Sequence, residues 1–580
     1  MNRVCRRPLI LAALLVVPIW LASAPCQESA TGNSSSGSPQ GQSTGNLSAQ
    51  AQEQLKALID AGMLSDLRWP NFTDYRIHVS KFYESGNYSA AWARDDQPTP
   101  QAQAMIRLFK QAPLKGLDPE AYDASRWDGR LAKLAPSVSR PLETDVMHFD
   151  LALTVSTMRY ISDLHIGRVN PQHFRFGLNV GPKKYDLPEL LRTEVLQAQD
   201  VDAVIAKAEP PYSGYRRVEA ALATYSKLAR EGDGEPLPIP EKAVRAGNTY
   251  KNLAQLIRRL RQLGDLASGR EASADATIYQ GAVVDAVKHF QQRHGLEPDG
   301  ALGTGTITAL NIPLSFRVRQ LQLTLERYRW MPPHFPEPPL LVNIPEFRLR
   351  TFHWEPQGLR GHLSMKVVVG KAYRHQTPVF ANNMRYLIFC PYWNVPPSIQ
   401  GSELVPKIRR DRNYVAEKGF EVTNSRGEVV TDGPVTDEVL SGLAAGALSL
   451  RQKPGPKNAL GLVKFMFPNS YNVYLHGTPA TELFSRARRD FSHGCIRVED
   501  PVGLAAWVLR DKPEWSVDRI RAVMNGDQTV QVNLDQPIPV LILYATAVVE
   551  EDGEVLFFDD IYGHDAELEK VLAAGYPYPD

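Results

Sequence analysis

The chain is poor in cysteine, with only Cys5, Cys26, Cys390 and Cys495 in 580 residues. So few thiols cannot build a disulfide scaffold. No CxxC pair and no HExxH run occurs, so the usual sequence marks of a zinc site are missing. There is no phosphate-cradling glycine loop and no nucleic-acid motif. Excess charge is missing too: 65 Lys and Arg stand against 64 Asp and Glu. That balance excludes a global electrostatic pull toward nucleic acid or an anionic surface. The one long apolar run, Leu9 to Leu21, is shorter than the about 20 residues of a membrane helix.

What is there begins with that run. Arg3, Arg6 and Arg7 precede it and Ala22-Ser23-Ala24 follows it, the pattern of an export signal. Pro25 and Cys26 leave three fates for residues 1–26: a cleaved signal, an uncleaved membrane anchor, or a lipid on Cys26. Residues 27–52 are rich in Ser, Gly, Gln and Asn and read as a flexible tether. Hydrophobic residues at 43% and charged residues at 22% fit globular domains beyond it.

The fold class expected is multidomain α+β. Residues 53–247 have helical periodicity, with Val146, Phe149, Leu153 and Ile161 recurring near helical spacing. His148 and His165 there read as packing or surface histidines. Residues 248–313 read as a small three-helix bundle. Leu253, Leu256, Ile257, Leu260 and Leu263 make one stripe, and Val283, Val287 and Phe290 a second that Gly295 ends. Thr304 is the expected cap of the last helix. Residues 314–337 read as a connecting helix. From residue 338 to 512 short β-prone segments take over, with a mixed polar insertion at about 395–460 suited to a lid. Residues 513–580 read as a C-terminal extension with a hairpin around Glu550-Glu551-Asp552-Gly553, adding strands to the catalytic domain or packing beside it.

Chemistry concentrates in "YNVYLHGTPATELFSRARRDFSHGCIRVEDP". A strand delivers His476 at its end, and Gly477 follows, where backbone can approach closely. Ser492-His493-Gly494-Cys495 then leads toward a helix expected from Pro501 to Leu509. Free amides near a helix entrance would lower the thiol's pKa and hold an oxyanion. A thiol with its ordinary pKa is only a few per cent thiolate at neutral pH, so it needs a base. His476 is that base, and the Gly477 carbonyl is the candidate acceptor for its ring N–H. The residues alone leave three other readings open: a buried thiol with satisfied histidines, a zinc site of His476, His493 and Cys495, or a Cys390–Cys495 disulfide. Cys390 itself reads as a small buried apolar residue.

His476-Gly477-Thr478 followed by Ser492-His493-Gly494-Cys495-Ile496-Arg497 resembles the signature of L,D-transpeptidase catalytic domains. "GKAYRHQTPVF", "PYWNVPPSI" and "PGPKNALGLVKFMFPN" resemble the larger Gram-negative members of that family. "AVKHFQQRHGLEPDGALGTGTITALNIP" resembles a peptidoglycan-binding domain. The resemblance implies a helical scaffold, a peptidoglycan-binding bundle and a β-rich catalytic domain, in that order. It implies that Cys495 attacks the stem-peptide carbonyl before a terminal D-Ala and that His476 moves the proton. Amides of Gly494 and Cys495 would hold the oxyanion, with His493, Ser492 and Arg497 in support. The product would be a 3→3 cross-link, or a trimmed stem if water is the acceptor. A wall-peptide cysteine hydrolase and a non-catalytic peptidoglycan-binding protein are the alternatives. Tyr392, Trp393 and Asn458 are candidate substrate contacts, and Lys464 a further one. Partners would be stem peptides and glycan strands, with no nucleic acid, no metal and no organic cofactor. With the export segment, the implied location is the periplasm.

Overall fold

The structure is a computed structural model that describes residues 47–135, 141–267, 277–356, 358–373 and 375–579. The expected export segment and the tether up to residue 46 lie outside the described residues. The tether's last residues do not behave as one: Leu47 is buried, and a helix capped by Ser48 runs Ala49–Ala61.

The first core forms around the helix Glu143–Ile166. Its apolar residues are not confined to the stripe that the spacing predicts. Leu151, Ala152, Val155 and Met158 are buried as well, so the helix runs through the middle of the core rather than along its edge. Two of its buried carboxylates are paired to distant segments. Asp150 accepts from the amides of Ala91 (2.8 Å) and Trp92 (2.7 Å) and from the Tyr83 hydroxyl (2.7 Å). Asp163 accepts from Tyr122 (2.6 Å) and from Tyr576, near the far end of the chain. The short strands β1 (Ala93–Arg94) and β2 (Gln97–Pro98) form a hairpin at its edge. His165 stacks on Tyr185 at 4.0 Å and bonds the Ala208 carbonyl, a packing role.

The second unit is a bundle of the helices Leu253–Gln262, Ala282–Arg293 and Thr304–Leu310, around Leu256, Leu260, Val287, Phe290 and Ile307. Gly295 takes a φ of 65° just past the second helix, as a left-handed C-terminal residue must. The third helix is entered at Gly303, without the Thr304 side-chain cap that the sequence suggests.

The helix Leu314–Arg329 is more than a connector. Gln320, Thr324, Glu326 and Arg329 on it are all buried. It packs along the helix Ser213–Glu231 in a core shared with Ala547, Val549 and Phe557 from the chain's end. Glu326 accepts from the amides of Arg168 (2.6 Å) and Val169 (3.1 Å), which ties the end of the scaffold helix Glu143–Ile166 to the helix Leu314–Arg329.

That sheet contains β3 (Leu340–Asn343), β4 (Arg348–Glu355), β5 (Gly358–Gly370) and β6 (Phe380–Phe389). The inserted region contributes β7 (Trp393–Asn394), β8 (Phe420–Thr423), β9 (Val429–Thr431) and β10 (Ser449–Gln452) to a sheet of its own. The catalytic sheet resumes with β11 (Val463–Met466), β12 (Leu475–His476), β13 (Asp490–Ser492), β14 (Ile496–Val498) and β15 (Val530–Leu543). Its order is β13-β5-β14-β12-β11-β6-β15-β3-β4, and β4 pairs again with β5, so the sheet closes into a barrel. Leu340, Val342, Val367, Leu387, Phe465, Leu475, Ile496, Val540 and Ile542 fill it.

Strand β15 runs parallel to β3 and antiparallel to β6. The boundary expected at residue 512 therefore cuts through the barrel, because the strand that closes it comes from beyond that point. The hairpin of β16 (Ala547–Val549) and β17 (Val555–Phe557) is present, but it packs on the helices Ser213–Glu231 and Leu314–Arg329.

The insertion is a folded subdomain. Leu404, Ile408, Val422, Leu440, Leu443 and Leu450 form its core. Gln400 is buried within it, donating to the carbonyls of Leu443 (3.0 Å) and Leu448 (2.9 Å) and accepting from the Leu450 amide (2.9 Å).

Candidate active site

Strand register assembles the site. In the parallel pair β12–β14, Leu475 lies opposite Ile496 and His476 opposite Arg497. Leu475 and Ile496 are both fully buried in the barrel core. Side chains alternate along a strand, so their neighbours Tyr474, His476, Cys495 and Arg497 share the outer face. The antiparallel partner β11 adds Lys464, which pairs directly with His476. One thiol, one imidazole, one phenol and two cations thus meet on one patch. The ammonium of Lys464 sits 3.9 Å from the centroid of the Tyr474 ring, which itself lies 5.7 Å from the His476 ring.

His476 is 5% exposed, and its Nδ1 lies 2.5 Å from the Gly477 carbonyl. That bond fixes the tautomer: Nδ1 carries the proton, and Nε2 has its lone pair free. Burial first, then the Arg497 guanidinium, pulls the imidazole pKa down to about 3. The close backbone approach expected at Gly477 is real, but the residue that requires glycine is Gly461, at φ 64°. A Cβ there would lie 2.6 Å from the Gly477 carbonyl carbon.

Cys495 is a free thiol, half-buried, with its sulfur 3.7 Å from the Asn472 carbonyl. Burial raises its pKa, and Tyr474, Lys464 and Arg497 offset part of the rise. Burial thus favours the neutral form of both the thiol and the imidazole. The helix entrance expected to acidify the sulfur serves no such role. Strand β14 intervenes, and the N-terminus of the helix Pro501–Val508 is capped by Asp500, which accepts from the Gly503 amide at 2.9 Å.

The nucleophile loop is held from several directions. The Ser492 hydroxyl donates to the Cys495 carbonyl (2.5 Å) and accepts from the Gly494 amide (3.1 Å). The Gly494 amide is thereby occupied, which removes it as the expected oxyanion donor. Gly494 itself needs glycine, at φ 110°. Its carbonyl accepts from Thr377 Oγ1 at 2.8 Å. Thr377 Oγ1 also accepts from the Gly370 amide (2.9 Å), and the Tyr562 hydroxyl donates to the Gly370 carbonyl (2.6 Å). The His493 ring packs beside His375, centroids 4.7 Å apart, and its Nε2 lies 2.5 Å from the carboxylate of Glu403 in the inserted subdomain.

The remaining candidates are placed differently. Asn458 is 1% exposed and donates to the carbonyls of Pro391 (3.0 Å), Gln452 (3.3 Å) and Lys453 (3.0 Å). It braces the loop that follows β10 and offers no atom to a substrate. Trp393 packs into the subdomain core against Phe420, centroids 6.1 Å apart. Tyr392 stays exposed, with the Arg451 guanidinium 4.7 Å over its ring. Cys390 is buried as expected, but not apolar in its contacts: its sulfur lies 3.3–3.5 Å from the carbonyls of Val523, Met524 and Gly526. Among the described residues, no group of three or more His, Cys, Asp and Glu side chains converges as metal ligands.

Sequence reasoning missed Tyr474, Thr377, Tyr562 and Glu403. Tyr474 was legible in principle, since it stands two residues before His476 on the same strand. The other three reach the site only through the tertiary fold.

Comparison with known proteins agrees with this organisation. Residues 78–222 match the family described as "Scaffold domain", residues 249–310 the "Putative peptidoglycan binding domain", and residues 339–532 the "L,D-transpeptidase catalytic domain". A curated Haemophilus influenzae protein named "Putative L,D-transpeptidase" is 32% identical over 231 residues, covering 40% of this chain and 45% of that protein. The matched region thus spans less than half of that relative's length. A solved structure from Clostridium acetobutylicum, titled a fused Zn-dependent amidase/peptidase/peptidoglycan-binding domain-containing protein, is 11% identical. It covers 52% of this chain and 99% of its own, with a TM-score of 0.15, too low to carry an argument. In order along the chain, its segments match a scaffold domain, a peptidoglycan-binding domain and an L,D-transpeptidase catalytic domain.

Proposed function

We propose that the chain is an exported cysteine L,D-transpeptidase that forms 3→3 cross-links in periplasmic peptidoglycan. The observation that carries this reading is the register of β12 and β14, which puts Cys495 and His476 on one face with His476 Nδ1 anchored on the Gly477 carbonyl.

In the proposed reaction the neutral thiol loses its proton to His476 Nε2 as sulfur attacks the stem carbonyl before the terminal D-Ala. The Cys495 amide is the backbone donor left for the oxyanion. Lys464 and Arg497 add positive charge beside a group that becomes negative only during the reaction, the condition under which electrostatics accelerates a step. The imidazolium then protonates the departing D-Ala amine. A diaminopimelate side-chain amine enters, gives its proton to His476, and takes the acyl group from sulfur. The peptidoglycan-binding bundle would hold the enzyme on its polymeric substrate.

The test is incubation with a tetrapeptide donor and a separate acceptor stem, with products resolved by mass spectrometry. A cross-linked dimer lost in Cys495→Ala is expected. Tripeptide alone points instead to a carboxypeptidase, and unchanged stems with retained sacculus binding point to a binding protein. Acylation of Cys495 by a carbapenem, read as intact mass, is expected in parallel.

A further inference from the structure

Domains joined by a linker move against each other unless an interface stops them. The three-helix bundle has such an interface with the hairpin β16–β17. Arg293, 4% exposed at the end of the helix Ala282–Arg293, donates from Nη1 to the Val555 carbonyl at 3.2 Å. Its Nε and Nη2 hold Asp265 of the bundle at 2.7 and 2.5 Å. The buried His294 ring stacks toward Phe557, centroids 5.8 Å apart. The His289 ring lies between Asp265 (2.8 Å) and Glu554 of the hairpin (2.6 Å). The same hairpin packs on the helices Ser213–Glu231 and Leu314–Arg329, so the seat of the bundle is itself part of a core.

The bundle also reaches the catalytic barrel directly. Glu297, in the turn after the helix Ala282–Arg293, accepts from the Ala487 amide at 2.5 Å. Ala487 belongs to the segment that runs from His476 to Cys495. That segment is braced where Glu297 meets it. Arg489, 7% exposed, donates to the carbonyls of Arg486 (2.5 Å) and Ala487 (3.1 Å) within the segment. It also donates to the carbonyls of Val367 (3.2 Å) and Phe347 (3.0 Å) in the barrel. Strand β13 begins at the next residue, Asp490, and pairs with β5. Glu297 therefore fastens the bundle to a point that the barrel already holds, on the segment that carries the thiol. A polymer held on a fixed bundle presents its side groups at a high effective concentration and in a restricted orientation, whereas a free side group gains neither.

We propose that Glu297 is a positioning residue that makes the enzyme prefer stems carried on a glycan strand over free stems, by fixing the bundle beside the segment that leads to Cys495. The proposal rests on the transpeptidase reading and on the match of residues 249–310 to a peptidoglycan-binding domain. Cross-linking by the full chain is measured with two donors, uncross-linked glycan strands bearing tetrapeptide stems and the free tetrapeptide, against one acceptor stem. The parent is expected to show a KM per stem about tenfold lower for the strands. Glu297→Ala is expected to raise the strand KM about fivefold, with kcat, the free-tetrapeptide KM and carbapenem acylation of Cys495 at parental values. Glu297→Gln keeps an oxygen for the Ala487 amide and is expected to recover most of the strand KM. His289→Ala, which loosens the seat on the hairpin, is expected to act in the same direction as Glu297→Ala. Thermal melting checks that each variant is folded. Equal KM for the two donors in the parent overturns the proposal, as does a parental strand KM in folded Glu297→Ala or an equal rise for both donors. Cross-links from neither donor, in a parent that a carbapenem acylates, overturn the transpeptidase reading and this proposal with it.

Discussion

The carboxylate of Glu403 lies 2.5 Å from Nε2 of His493, so the inserted subdomain is bonded to the residue two places before the nucleophile. A carboxylate only accepts, so Nε2 carries the proton that it donates. The carboxylate makes the contact charge-assisted, and it is partly exposed, which keeps its worth at about 1 kcal/mol. Glu403→Ala is expected to speed backbone hydrogen exchange in residues 397–410 about fivefold, without lowering the melting temperature of the barrel. Exchange at the parental rate would mean that the subdomain core alone holds its position.

The two protonation states of His476 make opposite demands. Its folded pKa, about 3, lies below the unfolded value near 6.5. Between those values the unfolded chain binds more protons, so stability is full above about pH 6.5 and falls as pH drops toward 3. His476→Gln removes this contribution. Denaturant unfolding at pH 7 and at pH 4 is expected to show a smaller acid loss in the variant, by on the order of 2 kcal/mol. Because burial raises the Cys495 pKa, its alkylation by iodoacetamide should climb with pH beyond the range of a free thiol. A thiolate plateau below pH 7 would refute the neutral resting pair.

Thr377 joins the nucleophile loop to the strand end at Gly370. Thr377→Val keeps the shape and deletes the hydroxyl, leaving the Gly494 carbonyl and the Gly370 amide without that partner. The cost is about 1–3 kcal/mol for each group. Carbapenem acylation of Cys495 is expected to slow about tenfold, and Thr377→Ser to recover most of it. Equal slowing in both variants would assign the effect to packing.

Asn458 is expected to act on folding and not on substrate. Asn458→Ala strips four backbone groups of a side-chain partner, since its Oδ1 also accepts from the Leu460 amide at 2.8 Å. A loss of about 2–4 kcal/mol in unfolding free energy is expected. A stable variant with a raised KM for the donor stem would restore Asn458 as a substrate contact.

Tyr576 carries the C-terminal segment into the scaffold core, its ring 4.5 Å from the Arg159 guanidinium and its hydroxyl on Asp163. Tyr576→Ala is expected to cost about 3–5 kcal/mol, as a buried aromatic truncation does. Burial raises the Asp163 pKa to about 7, and the Tyr576 bond lowers it in part. The folded carboxyl therefore holds its proton longer than the unfolded one, and stability falls as pH rises from about 4 to 7. Tyr576→Phe should steepen that fall, read by thermal melts across the range.

The candidate site was legible because its residues are close in sequence and their types are rare. His476, Gly477 and Cys495 lie on two short neighbouring segments, and the Gly477 carbonyl is adjacent to the ring that it orients. Helical and β-rich regions followed from periodicity, a local property. Asn458 and Trp393 stayed open between substrate and packing because a polar or aromatic residue in a Pro-rich loop looks the same in sequence whether it faces a ligand or a core.

By itself the sequence determined the order of scaffold, bundle and catalytic regions, and it singled out Cys495 and His476 as the candidate pair. Only the tertiary structure decided that β15 closes the barrel, that the helix Leu314–Arg329 is a shared core, and that Thr377, Tyr562 and Glu403 reach the nucleophile loop. The reason is contact range. Pairings such as Leu340 with Val540, Gly494 with Thr377, or Asp163 with Tyr576 join residues more than a hundred positions apart, where no periodicity in the chain records them.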